Sequence, residues 1–197
     1  QWKLFKKVIS EFNLQKVIYL ADEETVGGDD EFQTNRILDL AKKLKKEKLG
    51  LSFDSYARVD QIYNPKKSSE WHRKRMIMWK NLEEAGLSRL FVGVESGSET
   101  QLKRYGKGIR PIDSIVAIRI LSSLNISFRF GFVLFDPLMN ISEIIENIHF
   151  LERQDAFLKP IDINKTSYSN LLKLAKDKKF VEENSLKIPV YAKVSYM

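Results

Sequence analysis

Apolar and polar positions change period repeatedly along the chain, and those changes divide it into alternating helices and strands. Residues 2–12 gather Trp2, Leu4, Phe5, Val8, Ile9 and Phe12 near one helical face, with Lys3, Lys6, Lys7 and Glu11 elsewhere, which predicts a short amphipathic helix. Residues 16–21, KVIYLA, are β-branched and aromatic and too few for a helix, so they predict a buried strand that ends in the acidic cluster Asp22, Glu23 and Glu24. After Gly27-Gly28, Asp30 with Gln33 reads as a capping box opening a helix to about Lys48, with Ile37, Leu40, Ala41 and Leu44 as its core stripe. Residues 49–59 then alternate, placing Leu49, Leu51, Phe53, Ser55 and Ala57 on one face and Ser52, Asp54, Tyr56 and Arg58 on the other: a second strand.

A helix over 70–85 carries Trp71, Met78, Leu82 and Ala85 on one side and stops at Gly86. Residues 89–94 predict the third strand, and Ser98 with Gln101 predicts another capping box for a short helix ending near Gly106. Pro111 suits the first turn of the next helix, which carries Ile112, Val116, Ile120 and Leu124. The run ISFRFGFVLF over 126–135 is a fourth strand halted by Asp136-Pro137, and Asn140 with Glu143 opens a helix containing Ile144, Ile145, Ile148 and Leu151. Beyond Asp155 the pattern weakens to a short strand at 161–164, a helix over 170–180 and a strand over 188–194. The alternation over 1–153 implies right-handed βαβ units in a parallel sheet, and a barrel and a doubly wound sheet fit it equally. No repeat or low-complexity linker divides the 197 residues, which read as one domain, clear over 1–153 and weaker over 154–197.

Composition adds bounds. With 43% hydrophobic and 30% charged residues, and no apolar run near the roughly 20 residues a spanning helix needs, the chain reads as globular, without a membrane partner. No secretory leader opens it, so a cytoplasmic setting is expected. The first helix is similar to cationic membrane-active peptides but leads straight into an apolar strand. The net charge of +7 comes from lysines spread over many segments, such as Lys42, Lys43, Lys45 and Lys46, which alternate with core positions as on solvated helix faces. An RNA partner is the lesser reading of that charge. Zero cysteines exclude disulfides, thiolate metal sites and a cysteine nucleophile within these residues.

In parallel βα architectures ligands lie beyond the carboxyl ends of the strands, where loops vary on a fixed base. The polar residues there are Asp22 and Glu23, Arg58 and Asp60, Glu95 and Ser96, and Asp136, with Arg129 projecting from within the fourth strand. Such a ring suits an amino group, a ribose diol and a carboxylate, since acids accept from ammonium and hydroxyl groups and arginine pairs bidentately with carboxylates. Glu24 and Asp60 fit a helix cap or a surface ion pair better than a ligand site. Gly93 and Gly97 bracket Val94-Glu95-Ser96, so the backbone can turn sharply there and approach a ligand closely. Neither G-x-G-x-x-G, a Walker phosphate loop nor G-x-S-x-G occurs. His72 and His149 lie within predicted helices with no ligand at metal spacing and read as structural. Glu23 and Glu95 leave a paired-carboxylate glycosidase formally open.

The segments IYLADEE, SFDSYARVD, LEEAGLSRLFVGVESGSETQLKRYGKG and FRFGFVLFDPLMNISEIIENIHFLER, in that order, resemble the radical S-adenosylmethionine (SAM) enzymes, particularly the branch often fused to a cobalamin-binding domain. The resemblance covers roughly residues 13–153 and is most specific over 84–108. It implies an α/β fold, a partial parallel (βα) barrel of the radical SAM type with about four to six βα units. It also implies SAM bound beside a 4Fe-4S cluster that cleaves it to a 5′-deoxyadenosyl radical, and cobalamin held by a separate domain for radical chemistry or methyl transfer. By the same resemblance Asp22 and Glu23 meet the SAM amino group, Glu95 and Ser96 the ribose, Arg58 or Arg129 the methionine carboxylate, and Phe132 to Phe135 the adenine, with Phe135 as the apolar contact.

Two departures qualify it. Where many relatives have a Gly-Leu-Pro-Gly-Glu-like turn, this chain reads Phe135-Asp136-Pro137-Leu138-Met139-Asn140, loosely similar to the branch acting on peptides or natural products. The Cys-x3-Cys-x2-Cys loop that holds the cluster is absent and is expected before Gln1 in a longer parent enzyme, so the chain alone is expected to be inactive. The alternatives are a non-catalytic relative that binds SAM without turnover and an RNA-modifying member of the superfamily.

Overall fold

A computed structural model describes residues 1–14, 17–20 and 26–196. Its helices are α1 (Trp2–Glu11), α2 (Glu31–Glu47), α3 (Ser69–Glu84), α4 (Glu99–Arg104), α5 (Pro111–Ser123), α6 (Ile141–Glu152), α7 (Tyr168–Leu174) and α8 (Lys178–Asn184). Its strands are β1 (Val17–Tyr19), β2 (Ser52–Arg58), β3 (Leu87–Glu95), β4 (Phe128–Phe132) and β5 (Val194–Tyr196). All pair in parallel, in the order β1-β2-β3-β4-β5.

That order resolves the ambiguity between barrel and doubly wound sheet. Each right-handed crossover advances one strand in the same direction, so the crossing helices fall on one face of the sheet, and the other face becomes the inner wall of an incomplete barrel. The helix-facing side holds the core. Phe53, Ala57, Leu90, Val92, Phe130 and Phe132 from the strands meet Ile37 and Ala41 of α2, Met76 and Trp79 of α3, Ile115 of α5 and Phe150 of α6, all buried. Each fully buried large apolar side chain contributes about 1.5–3 kcal/mol. Because side chains alternate along a strand, Tyr19, Asp54, Tyr56, Arg58, Arg89, Phe91 and Arg129 fall on the opposite, inner wall.

Local signals account for most element starts. Asp30 accepts from the Gln33 backbone N–H at 2.7 Å, but the Gln33 side chain turns to Arg36, so only half of that capping box closes. The Asn140–Glu143 box closes both ways, at 3.0 and 3.2 Å. The box expected from Ser98 and Gln101 does not form, because the Gln101 side chain is drawn into a buried polar network. Helix α1 buries none of its own residues and is seated by Trp2, edge-on to Phe53 at 5.5 Å, and by a Lys3–Glu47 ion pair.

Four further expectations are corrected. Strand β4 stops at Phe132 rather than residue 135, since the Val133 N–H donates to Glu95 and the chain then leaves the sheet. Residues 161–164 form a turn in which the Asp162 carbonyl accepts from Lys165 and Thr166, not a strand. The helix expected over 170–180 is two helices, because Asp177 stops and recaps the chain by accepting from the Phe180 N–H, and Pro189 opens a 3-10 turn that delays the last strand to Val194. Among the described residues no helix is long and apolar enough to cross a membrane.

Candidate functional site

The site is organised by the C-terminal end of β3. Its register with β4 slips between Gly93, opposite Gly131, and Glu95, opposite Phe132, which leaves Val94 as the extra residue of a bulge. Glu95 takes a φ of 67°, a left-handed conformation of order 1–3 kcal/mol above the ordinary regions for a residue of its kind. The surroundings hold it there: its carbonyl accepts from Val133 at 2.8 Å, the Ser96 N–H donates to Val94 at 2.9 Å, and its carboxylate pairs with Lys107 at 2.9 Å. The carboxylate folds back over Gly93, where any Cβ would sit 2.6 Å from Oε1. The sequence reading found this glycine; the bulge supplies the reason for it.

Below the bend lies a closed network. Ser96 is fully buried; its Oγ lies 2.5 Å from Gln101 Oε1 and 2.9 Å from Asn147 Oδ1 and accepts from the Ser98 N–H. One hydroxyl proton serves both amide oxygens. Asn147 Oδ1 also accepts from the Gly97 N–H at 2.7 Å, and its Nδ2 donates to Gln101 at 2.9 Å. A Cβ on Gly97 would lie 2.2 Å from Phe150 Cβ, so only glycine lets the bend rest on α6. Ser96 is therefore placed as a support for the turn, with its hydroxyl committed inward.

Asp136, another strand-end acid, is likewise absorbed. It accepts from Tyr105 at 2.6 Å, Leu138 N–H at 2.7 Å, Gln101 at 3.0 Å and Arg104 at 3.1 Å. The Tyr105 hydroxyl first, then the Leu138 N–H, hold its carboxyl well below the usual carboxylate range. Arg104 also grips Glu143, at 2.9 and 3.0 Å, and with Thr100 pushes it down to about 2. Together these bonds tie the turn after β4 to α4 and α6.

On β2, Arg58 sits beside Gly93 in register and is paired bidentately with Asp60 at 2.9 and 2.7 Å. Beneath it lies a hub the sequence reading missed. Gln61 accepts from the Arg58 N–H at 3.0 Å, donates to the Gly27 carbonyl at 2.7 Å, and offers its own carbonyl to Arg75 at 2.9 Å. Arg75 is fully buried over the rings of Trp71 and Trp79, 5.5 and 6.0 Å from their centroids. Burial pulls it down to about 10, which still leaves it charged at neutral pH. Its spacing from the two tryptophans, four residues either way on one helix, was the only signal of this in the sequence.

Of the remaining expected residues, Asp22 and Glu23 lie outside the described residues. Arg129 is exposed on the inner wall opposite Phe91, one row below Gly131, with no hydrogen bond or ion pair to the described residues. Phe135 is 71% exposed beyond β4. His72 is buried, with Nδ1 bonded to the Ser68 carbonyl and Nε2 accepting from Asn64, and His149 lies on the surface of α6. The structure thus gathers Arg58, Gly93 and Glu95 at one edge, and keeps the Ser96 hydroxyl and Asp136 for scaffolding.

No protein-family model matches the chain. It is 46% identical over 189 residues to 4′-phospho-dehydrooxetanocin synthase of Priestia megaterium, covering 94% of this chain and 25% of that protein. It is 28% identical over 129 residues to an uncharacterized methyltransferase of Pyrococcus horikoshii, covering 64% of this chain and 26% of that protein. Among solved structures it superposes on the cobalamin-dependent S-adenosylmethionine radical enzyme OxsB with aqua-cobalamin bound, with a TM-score of 0.93 and 42% identity over 100% of this chain and 28% of that one. OxsB with aqua-cobalamin and S-adenosylmethionine bound gives a TM-score of 0.94 at 42% identity over 27% of that chain. The chain is a homologue of part of a cobalamin-dependent radical SAM enzyme, and it spans about a quarter of the length of the curated relatives it matches.

Proposed function

We propose that this chain forms the SAM-binding wall of the barrel in a cobalamin-dependent radical SAM enzyme. The observation that carries the reading is the bend at Glu95: a bulge and a strained backbone at the carboxyl end of β3 fold its carboxylate back over Gly93, the register neighbour of Arg58, where it pairs with Lys107. A carboxylate held there accepts from the two hydroxyls of a ribose. Arg58, one strand away, suits the methionine carboxylate, and Asp22 and Glu23, which follow β1 in the sequence, suit the amino group. Phe135, exposed beyond β4, is free to pack on the adenine. The Ser96 contribution is to fix the turn rather than to touch the ligand.

SAM bound at this edge and reduced by an iron-sulfur cluster would supply the 5′-deoxyadenosyl radical, with cobalamin as its partner cofactor. The residues of this chain do not fit the cluster itself. The 197 residues contain no cysteine, and the described residues contain no group of three metal-ligating side chains. In this reading the cluster and cobalamin belong to other segments of a longer protein. The Priestia relative's name denotes a phosphorylated small molecule, and we take that class as the substrate in preference to a peptide or an RNA.

The test is SAM binding by calorimetry on the full-length protein. Glu95→Gln removes the charge that strengthens bonds to the ribose and is expected to weaken SAM about tenfold or more, since hydrogen bonds to charged groups contribute about 1.5–3 kcal/mol. Equal affinity in wild type and variant would sink the assignment. Anaerobic, reduced full-length protein is expected to release 5′-deoxyadenosine; SAM binding without that product would indicate the non-catalytic relative instead.

A further inference from the structure

Gln61 and Arg75 form a buried polar post beneath the carboxyl end of β2, and the proposed SAM site gives neither of them a ligand. Gln61 follows β2 by three residues and is 2% exposed. Its side-chain amide serves two loops at once: Oε1 accepts from the Arg58 N–H at 3.0 Å, and Nε2 donates to the Gly27 carbonyl at 2.7 Å. Bridging an N–H to a carbonyl takes one group that both accepts and donates, which an amide does and a carboxylate does not.

The post itself is braced on every side. Arg75 donates from Nε to the Gln61 carbonyl at 2.9 Å and from Nη1 to Thr34 Oγ1 at 3.3 Å, with its guanidinium against the rings of Trp71 and Trp79. Trp71 Nε1 donates in turn to the Asp29 carbonyl at 2.6 Å. The connection from β1 into α2 is thus pinned at Gly27, Asp29 and Thr34 by groups of α3 and of the turn after β2. Asp22 and Glu23 stand in the sequence between β1 and this pinned limb, and Arg58 closes β2. These are the residues that the SAM reading gives to the methionine amino group and carboxylate. Both ligand groups sit on one carbon, so their partners on neighbouring loops have to keep a fixed separation, to within about 0.5 Å for a binding constellation.

We infer that Gln61, seated on Arg75, is a positioning residue that gives this edge its selectivity for the amino-acid end of SAM. The inference rests on the SAM reading above and adds to it the side chain that sets one loop against the other. The effect is confined to ligands carrying the amino-acid group, because Glu95, on the ribose side, is held by Val133 and Lys107 and makes no bond to the post.

The test is calorimetry on anaerobic full-length protein with SAM, with S-adenosylhomocysteine, which keeps the amino-acid group on a neutral sulfur, and with 5′-methylthioadenosine, which lacks that group. Gln61→Met fills a similar space and removes both amide bonds. It is expected to weaken SAM and S-adenosylhomocysteine about tenfold and to leave 5′-methylthioadenosine within about twofold of wild type. Gln61→Glu keeps the acceptor for Arg58 and loses the donor to Gly27, so the same split is expected at smaller size; this variant decides the matter if Gln61→Met shows no cooperative unfolding. Thermal unfolding is followed on the same samples. A lowered Tm with S-adenosylhomocysteine and 5′-methylthioadenosine weakened alike is the mark of a merely structural residue and overturns the inference, as does unchanged affinity for both. Wild type that fails to bind SAM defeats the SAM reading itself, whereas wild type that binds SAM with no split in the variants defeats the positioning role alone.

Discussion

Replacing Asn147 by leucine isolates the polar network that supports the Glu95 bend. Asn147 is wholly buried, and leucine fills a similar space, so the loss is electrostatic rather than a cavity. The Gly97 N–H, now bonded at 2.7 Å, is left without an acceptor, which costs about 1–3 kcal/mol, and the 2.9 Å bond to Gln101 removes a further ~1 kcal/mol. Ser96 keeps Gln101 as its acceptor, so its hydroxyl adds little to the sum. The expected destabilisation is therefore about 2–4 kcal/mol, or roughly 5–15 °C in Tm for a chain of this size. Urea and thermal unfolding followed by circular dichroism read it directly. Because the turn that loosens carries Glu95, the full-length variant is also expected to bind SAM several-fold more weakly. A loss below about 1 kcal/mol with SAM affinity unchanged would refute both the energetic weight of the network and its connection to the site.

Three further outcomes are expected. Gly97→Ala places a Cβ 2.2 Å from Phe150 Cβ, so the bend or α6 must shift; overpacking of this kind costs about 1–3 kcal/mol, and unchanged unfolding would contradict the close contact. Burial holds His72 below its ordinary 6.5, so the unfolded chain takes up a proton in the range just below that value which the fold refuses; stability is full above about pH 6.5 and falls as pH drops through the window below it. His72→Gln is expected to flatten the difference in unfolding free energy between about pH 7.5 and 5.5, and an equal slope in both proteins would exclude His72 as its source. Among the described residues β1 is an edge strand of the sheet, with Val17 47% and Tyr19 57% exposed, and the 197 residues by themselves are expected to self-associate; a monomer by sedimentation at micromolar concentration would argue against it.

The sequence by itself determined the class of the fold, because hydrophobic period, turn residues and caps are local. The alternation over 49–59 and the Asn140–Glu143 box each state their own conformation within a few residues, and Gly93 and Gly97 announced a close backbone approach; of KVIYLA, Val17–Tyr19 forms a strand, but an exposed one rather than the buried strand its apolar run predicts, because it lies at the end of the sheet order. Tertiary structure decided what those signals left open. Strand order, which makes the sheet a barrel wall, depends on how crossovers pack rather than on any one segment. The fate of each polar residue depends on partners far away in the chain: Gln101 leaves its expected cap for Asn147, 46 residues on, and Asp136 is claimed by Tyr105, 31 residues back. Local spacing carries no information about such pairings. Only the assembled sheet shows that Asp136 is bound into the turn after β4 while the Glu95 carboxylate folds back over Gly93 to meet Lys107.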